Sequence, residues 1–193
     1  MKVLLFCCKG FETMEFAPFL DACGWVRDDF HNDINVVTAG FTKTVVSTFG
    51  VPVIVDKLFD EIDAADYDAL AIPGGYEEYG FYEDGYKPEF LDLIRKFDEA
   101  GKPIASICVG ALPIAASGVL KGRNATTYHL GSGIRQKQLA EFGVNVIPDQ
   151  RIVVDKNIVT SFCPETAADV AFTLLELLIG KEMSKTVSAA MGY

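Results

Sequence analysis

The strongest chemical signal in this sequence is the run Pro103–Ala111, PIASICVGA. An apolar strand is predicted to end at Ile107, Cys108 follows at once, and Gly110 opens a helix. That order makes a nucleophile elbow, a tight strand-to-helix turn that lifts one side chain above the sheet edge. Small neighbours (Ala105, Ser106, Gly110) let backbone crowd around the sulfur, and a helix N-terminus favours thiolate over thiol. The plain alternative is that Cys108 is a small buried hydrophobe, as cysteines usually are. Two further segments weigh against it. Ile72-Pro-Gly-Gly-Tyr76 follows another predicted strand, and its glycines, Gly74 and Gly75, allow backbone to approach a reacting group closely. The N–H groups of Gly75 and Val109 form a candidate oxyanion hole, although Pro-Gly-Gly alone is an ordinary turn. In KGFETME, residues 9–15, Glu12 and Glu15 lie on one helical face. Acidic residues suit a helix's first turn, which accounts for Glu12; only Glu15 lies deep enough to be carried over the strand ends.

Other chemistries are excluded by composition. Cys7, Cys8, Cys23, Cys108 and Cys163 contain no C-x-x-C pair, and the two histidines, His31 and His129, stand far apart with no metal-binding spacing. A structural zinc site needs four clustered ligands, so no metal is expected. With 17 Lys and Arg against 27 Asp and Glu, the formal charge of −10 opposes a nucleic-acid partner. The richest apolar stretch, FTLLELLIG, is broken by Glu176 and falls short of the roughly 20 residues of a membrane span. The opening MKVLLFCCKG has too short an apolar run for a signal peptide. These features predict a cytoplasmic chain with free thiols and no membrane partner.

The elements that must hold Cys108 follow from hydrophobic patterning. Apolar runs at Lys2–Cys8, Ile34–Ala39, Tyr67–Ile72 and Pro103–Ile107 read as strands covered on both faces. Thr44–Ser47 and Val51–Val55 are shorter β-rich pieces, the second an edge because of its proline. Helices are predicted over Glu12–Cys23 (interrupted by Pro18 and ended by Gly24), Pro88–Ala100, Gly110–Ser117, Ile134–Phe142 and Ala167–Ile179, with a helical turn or two at Lys57–Ile62. Ala125–Tyr128 and Val144–Ile147 are further strands, and Arg151–Asp155 with Ile158–Ser161 form a hairpin. Residues 1–193 thus read as one α/β domain with a mostly parallel sheet, whose ligands sit beyond the carboxyl ends of the strands.

The chain resembles the ThiJ/PfpI superfamily, also called the DJ-one family. The likeness spans nearly the whole sequence. It rests on KGFETME, IPGG, ASICVG, KGRNATTYHL (residues 121–130), VVDKNIVTS (residues 153–161) and PETAADVAFTLLELLIGKE (residues 164–182). The resemblance implies a flavodoxin-like three-layer sandwich with helices on both sheet faces. It also implies a Cys108 nucleophile whose sulfur is hydrogen-bonded by Glu15, an oxyanion hole at Gly75 and Val109, a homodimer, and no cofactor. A buried, protonated carboxyl can donate to a thiolate and would equally hold a sulfinate.

Two departures bear on mechanism. Protease-type members place His directly after the nucleophile, where this chain has Val109. In the branch nearest the human protein a His follows the Thr-Thr pair; here Tyr128 comes first and His129 second. In a strand, that offset turns His129 to the other face and puts the Tyr128 phenol at the site; if His129 faces Cys108, it is the one available imidazole base. The related glutamine amidotransferases use a downstream His-x-Glu, but Phe162-Cys163-Pro164-Glu165 has Cys163 where that His is needed. Cys163 is then a site neighbour or an inert loop thiol. The resemblance therefore implies a cysteine-dependent enzyme acting on a small molecule, a 2-oxoaldehyde or its adducts (glyoxalase- or deglycase-like). The alternatives are a stress-protective redox sensor with oxidisable Cys108, and an amidase or peptidase. The loop Tyr76–Tyr86, with four acidic residues and four tyrosines, is either a lid, a dimer contact or a solvated surface loop.

Overall fold

Short apolar runs bounded by glycine and proline become strands, and amphipathic stretches become helices that cover them. The computed structural model describes all residues 1–193. In chain order the elements are β1 (Lys2–Phe6), α1 (Thr13–Asp28), β2 (Asn35–Gly40), β3 (Thr44–Val46), β4 (Pro52–Ile54), β5 (Lys57–Leu58) and β6 (Ala69–Ile72). There follow α2 (Phe81–Gly85), α3 (Pro88–Glu99), β7 (Ile104–Ser106), α4 (Ala111–Ala116), β8 (Asn124–Ala125) and α5 (Ile134–Glu141). The chain closes with β9 (Asn145–Val146), β10 (Ile152–Asp155), β11 (Ile158–Ser161), α6 (Ala167–Ile179) and α7 (Lys181–Ala190).

Seven strands form the main sheet in the order β10-β11-β7-β6-β1-β2-β5. All neighbours are parallel except β10 and β11, the expected hairpin. The five inner parallel strands, taken in chain order, run 2-1-3-4-5, the flavodoxin-like winding. Helices α1, α6 and α7 pack on one another as one layer, and α2, α3, α4 and α5 contact in succession as the other. One apolar cluster of 47 buried residues lies between them, with Phe6, Leu4, Leu70 and Ile104 fully enclosed. The winding reverses between β1 and β6, and there the carboxyl ends of β1, β6 and β7 open toward one cleft.

Several elements differ from the sequence expectation for physical reasons. Helix α1 runs through Pro18 and Gly24 to Asp28. Its buried face (Phe19, Ala22, Cys23, Val26) continues past Gly24, so packing outweighs the low helix propensity of glycine. The predicted helical turn at Lys57–Ile62 instead begins as edge strand β5 beside β2, and only Phe59–Glu61 turn helically. The strand expected over Ala125–Tyr128 stops at Ala125. Beyond it, Thr126 N–H donates to the Thr160 hydroxyl (2.9 Å) and the Thr127 hydroxyl donates to Cys108 O (2.7 Å). Side-chain hydroxyls thus replace the ladder. Helices α2 and α7 lie where no helix was expected.

Candidate active site

Three chain segments meet over the sheet edge. The first is the elbow after β7. Cys108 has φ +55°, one of four non-glycine residues with positive φ, and such a conformation costs roughly 1 kcal/mol for an L-residue. Cys108 to Gly110 make a single tight turn before α4, which is only six residues long. The Thr127 hydroxyl bond to the Cys108 carbonyl anchors this strained residue from the next segment.

The second segment is the Pro73-Gly74-Gly75 turn after β6. A Cβ on Gly74 would lie 2.7 Å from both Glu15 Oε2 and Ile107 O and 3.0 Å from Val109 N. On Gly75 it would lie 2.3 Å from Gly10 O. Both glycines are therefore required by close backbone approach. The Gly75 N–H has no acceptor within the protein, since its neighbours Gly74 and Tyr76 make the hydrogen bonds of this turn. The third segment is the start of α1. Glu15 is fully buried, and its Oε2 accepts from Gly74 N–H at 2.6 Å. Its Oε1 is buried without a conventional hydrogen-bond partner, and the side chain with which its carboxyl interacts is Cys108.

Burial governs the protonation of this pair. It raises the Glu15 carboxyl from 4.5 to about 8, against the pull of the Gly74 N–H and with help from the negative charge of Glu12. Burial also pushes the Cys108 thiol up; an ionised Glu15 adds to this, while the Val109 N–H opposes it. Near neutrality burial keeps both groups protonated, and the carboxyl proton belongs on Glu15 Oε1, the oxygen that the Gly74 N–H does not occupy. There it turns a repelling charge into an O–H donor toward sulfur, and it satisfies the orphaned oxygen. A proton moving between carboxyl and thiol is the acid–base device this geometry supplies.

A cleft of about 190 Å³ opens above the pair, lined by Glu12, Glu15, Gly75, Tyr76, Glu77, Glu78, Cys108, Val109, Tyr128, Arg135 and Pro164. Of the residues singled out from sequence, Cys108, Glu15, Gly75, Val109 and Tyr128 line this cleft, and Gly74 lies immediately beneath it. His129 is elsewhere. Its ring stacks on Phe162 with centroids 3.9 Å apart, and its Nδ1 lies 3.7 Å from Cys163 Sγ. With strand β8 ended at Ala125, period-two alternation does not govern these residues. It is the phenol side, Tyr128, that faces the cleft. Cys163 is buried beside His129, and burial raises its thiol. Cys7, Cys8 and Cys23 are buried in the core. No group of three or more His, Cys, Asp or Glu side chains is arranged to hold a metal ion, and no helix is long and apolar enough to cross a membrane.

Sequence reasoning missed Glu12, Arg135, Tyr76, Glu77, Glu78 and Pro164 as cleft residues; Glu12, read as a helix first-turn acid, makes no side-chain cap and lines the cleft beside Glu15. The YEEY run directly after the glycine turn was a usable signal. Arg135, at the start of α5, had none; it reaches the cleft by pairing with Glu77 at 2.8 Å. The first residues of the Tyr76–Tyr86 loop, Tyr76, Glu77 and Glu78, form a wall of the site, and Phe81 farther along is buried.

A sequence model of the DJ-1/PfpI family matches residues 1–177. The chain belongs to the DJ-1/PfpI family. Among curated relatives of this DJ-1/PfpI protein, deglycase PfpI of Pyrococcus furiosus is 35% identical over 168 residues, covering 85% of this chain and 91% of the relative. Among solved structures, Drosophila melanogaster DJ-1beta superposes with a TM-score of 0.84 at 27% identity, covering 98% of this chain and 96% of its own. Schizosaccharomyces pombe DJ-1 gives 0.83 at 25% identity over both whole chains. The flavodoxin-like fold of this DJ-1/PfpI chain is thus shared along its full length.

Proposed function

We propose that this protein is a cysteine-dependent enzyme acting on 2-oxoaldehydes or their adducts with amines and thiols. The observation that carries this reading is the buried Cys108–Glu15 pair beneath a small cleft, with the free Gly75 N–H beside it. The deglycase relatives support a small carbonyl-derived substrate. In the first step Cys108 releases its proton to solvent and adds as thiolate to the aldehyde carbon. The carbonyl oxygen gains the developing negative charge between the Gly75 and Val109 N–H groups and takes the Glu15 proton, giving a hemithioacetal. Glu15, now a carboxylate, removes the proton from the former aldehyde carbon, and reprotonation at the neighbouring carbon leaves a 2-hydroxyacyl thioester. Water releases the hydroxy acid and restores the thiol. In adduct release, Cys108 sulfur displaces the amine or thiol from the adduct carbon, a C–S bond forming as the C–N or C–S bond of the adduct breaks, and the departing group takes the proton that Glu15 supplies.

The cleft is smaller than the roughly 300–1,000 Å³ of drug-sized ligand sites, and no imidazole contacts Cys108, which disfavours peptide-bond cleavage. Methylglyoxal consumption by wild type and Cys108→Ser tests the reading. A loss of at least about 100-fold is expected from removal of the nucleophile; equal rates would end it.

A second reading, oxidation of Cys108 in a stress-protective protein, is favoured by the same two donors, since Glu15 and the Val109 N–H would hold a sulfinate as well as a thiolate. Peptide mass spectrometry after graded peroxide separates them: oxidation confined to Cys108 before turnover is lost supports the sensor. A homodimer is also part of the proposal. Phe49, Val51 and Ile54 on the β3–β4 ribbon are exposed, and a Thr13–Ser47 hydroxyl bond ties this ribbon to α1, where Met14 is also exposed. Light scattering at the dimer mass is the expected result.

A further inference from the structure

Glu12 has no task in the chemistry above, yet it is built into the cleft. It is only 8% exposed, and its side-chain oxygens enter no hydrogen bond or ion pair. It occupies the N-cap position of α1 without capping the helix through its side chain. Its backbone is clamped instead: the N–H donates to Gly74 O at 2.8 Å, and the carbonyl accepts from Glu15 and Phe16 N–H. A carboxylate this enclosed ordinarily finds a donor inside the protein, because leaving it unpaired is costly. Here the side chain lines the cleft, where its oxygens, unlike Glu15 Oε1, are not sealed from solvent, so that water pairs with it until a bound molecule takes the place of that water.

The surrounding charges do not neutralise it. Arg135 is the one cation lining the cleft, and Glu77 already claims it at 2.8 Å. Glu78 lines the same cleft without an ion-pair partner. Glu15, held protonated near neutrality by burial, contributes no balancing charge. The cleft therefore presents uncompensated negative charge from Glu12 inside and Glu78 at the mouth, in a chain whose formal charge is already −10. Low-dielectric walls concentrate such a field onto whatever enters.

We propose that the cleft selects 2-oxoaldehyde adducts carrying an ammonium or guanidinium group over adducts carrying a carboxylate, with Glu12 as the specificity-determining residue. This rests on the enzymatic reading above for its substrate class, but the field at the sulfur does not depend on turnover. The test uses two methanethiosulfonate reagents of similar size, one ending in trimethylammonium and one in sulfonate. In each reaction Cys108 thiolate displaces methanesulfinate and forms a mixed disulfide. Rates at the Cys108 peptide are read by mass spectrometry and normalised to the same reagents with 2-mercaptoethanol.

At low ionic strength the cationic reagent is expected to be favoured by about tenfold. The preference should shrink toward unity in ~1 M salt, where the Debye length is about 3 Å. Glu12→Gln is expected to cut it at least about threefold, Glu12→Asp to retain most of it, and Glu78→Gln, at the exposed mouth, to cut it less. Equal normalised rates in wild type, or an unchanged ratio in Glu12→Gln, would overturn the proposal. The same ratio is then measured as kcat/KM for methylglyoxal hemithioacetals of a quaternary-ammonium thiol and of 3-mercaptopropionate. A cation preference in labelling with no turnover of any oxoaldehyde refutes the enzymatic reading while the charge selectivity of the cleft stands. Turnover without charge preference does the reverse.

Discussion

Replacing Glu15 by Gln removes a titrating group without changing its shape, so the pH dependence of stability reports directly on the buried proton. The carboxyl has an ordinary value of 4.5 and about 8 in the folded protein, raised chiefly by burial. Between those limits the folded state holds a proton that the unfolded chain releases. Stability must therefore fall as pH rises through that window, by up to about 1.4 kcal/mol per pH unit. Across the full span from 4.5 to about 8 this reaches about 5 kcal/mol. Below the window both states are protonated and the contribution is flat. The assay is urea unfolding of wild type and Glu15→Gln at several pH values from 4.5 to 8.5. The expected result is a variant that gains on wild type steadily as pH rises, its advantage reaching several kcal/mol near pH 8. Parallel stability curves would show that Glu15 is ionised throughout and would refute the proton-sharing account.

Other perturbations test the frame around the pair. In Gly75→Ala the new Cβ meets Gly10 O at 2.3 Å; a loss of about 1–3 kcal/mol in denaturant unfolding should accompany a fall in kcat as the N–H moves off the oxyanion. Thr127→Val removes the donor to the Cys108 carbonyl and should cost about 1–3 kcal/mol, with turnover falling through loosening of the strained elbow. His129→Ala should leave methylglyoxal kcat/KM within about threefold of wild type, well short of the roughly 100-fold or greater loss of a general base, because the ring lies on Phe162 and Cys163.

The sheet and the elbow were legible because their signals are local. Four apolar runs encode the buried parallel strands, and PIASICVG carries the strand, the nucleophile and the turn in one segment. The Glu15 and Gly75 placements were also accessible, since both follow directly on strand ends that the winding brings together. Tertiary effects were not. Helix α1 survives Pro18 and Gly24 because of what it packs against, and propensity alone cannot register that. The fate of His129 turned on a strand that ends after two residues, where threonine hydroxyls take over from the ladder. Arg135 enters the cleft only through its pairing with Glu77, distant in sequence.

The proposed reaction requires Cys108 to form a covalent bond to its substrate, and the most direct measurement is rapid acid quench of the enzyme with methylglyoxal, followed by peptide mass spectrometry. The predicted result is an adduct on the peptide bearing Cys108, absent from those bearing Cys7, Cys8, Cys23 and Cys163, which forms and decays at the rate of turnover. Product formation with Cys108 unmodified at every time point would contradict it.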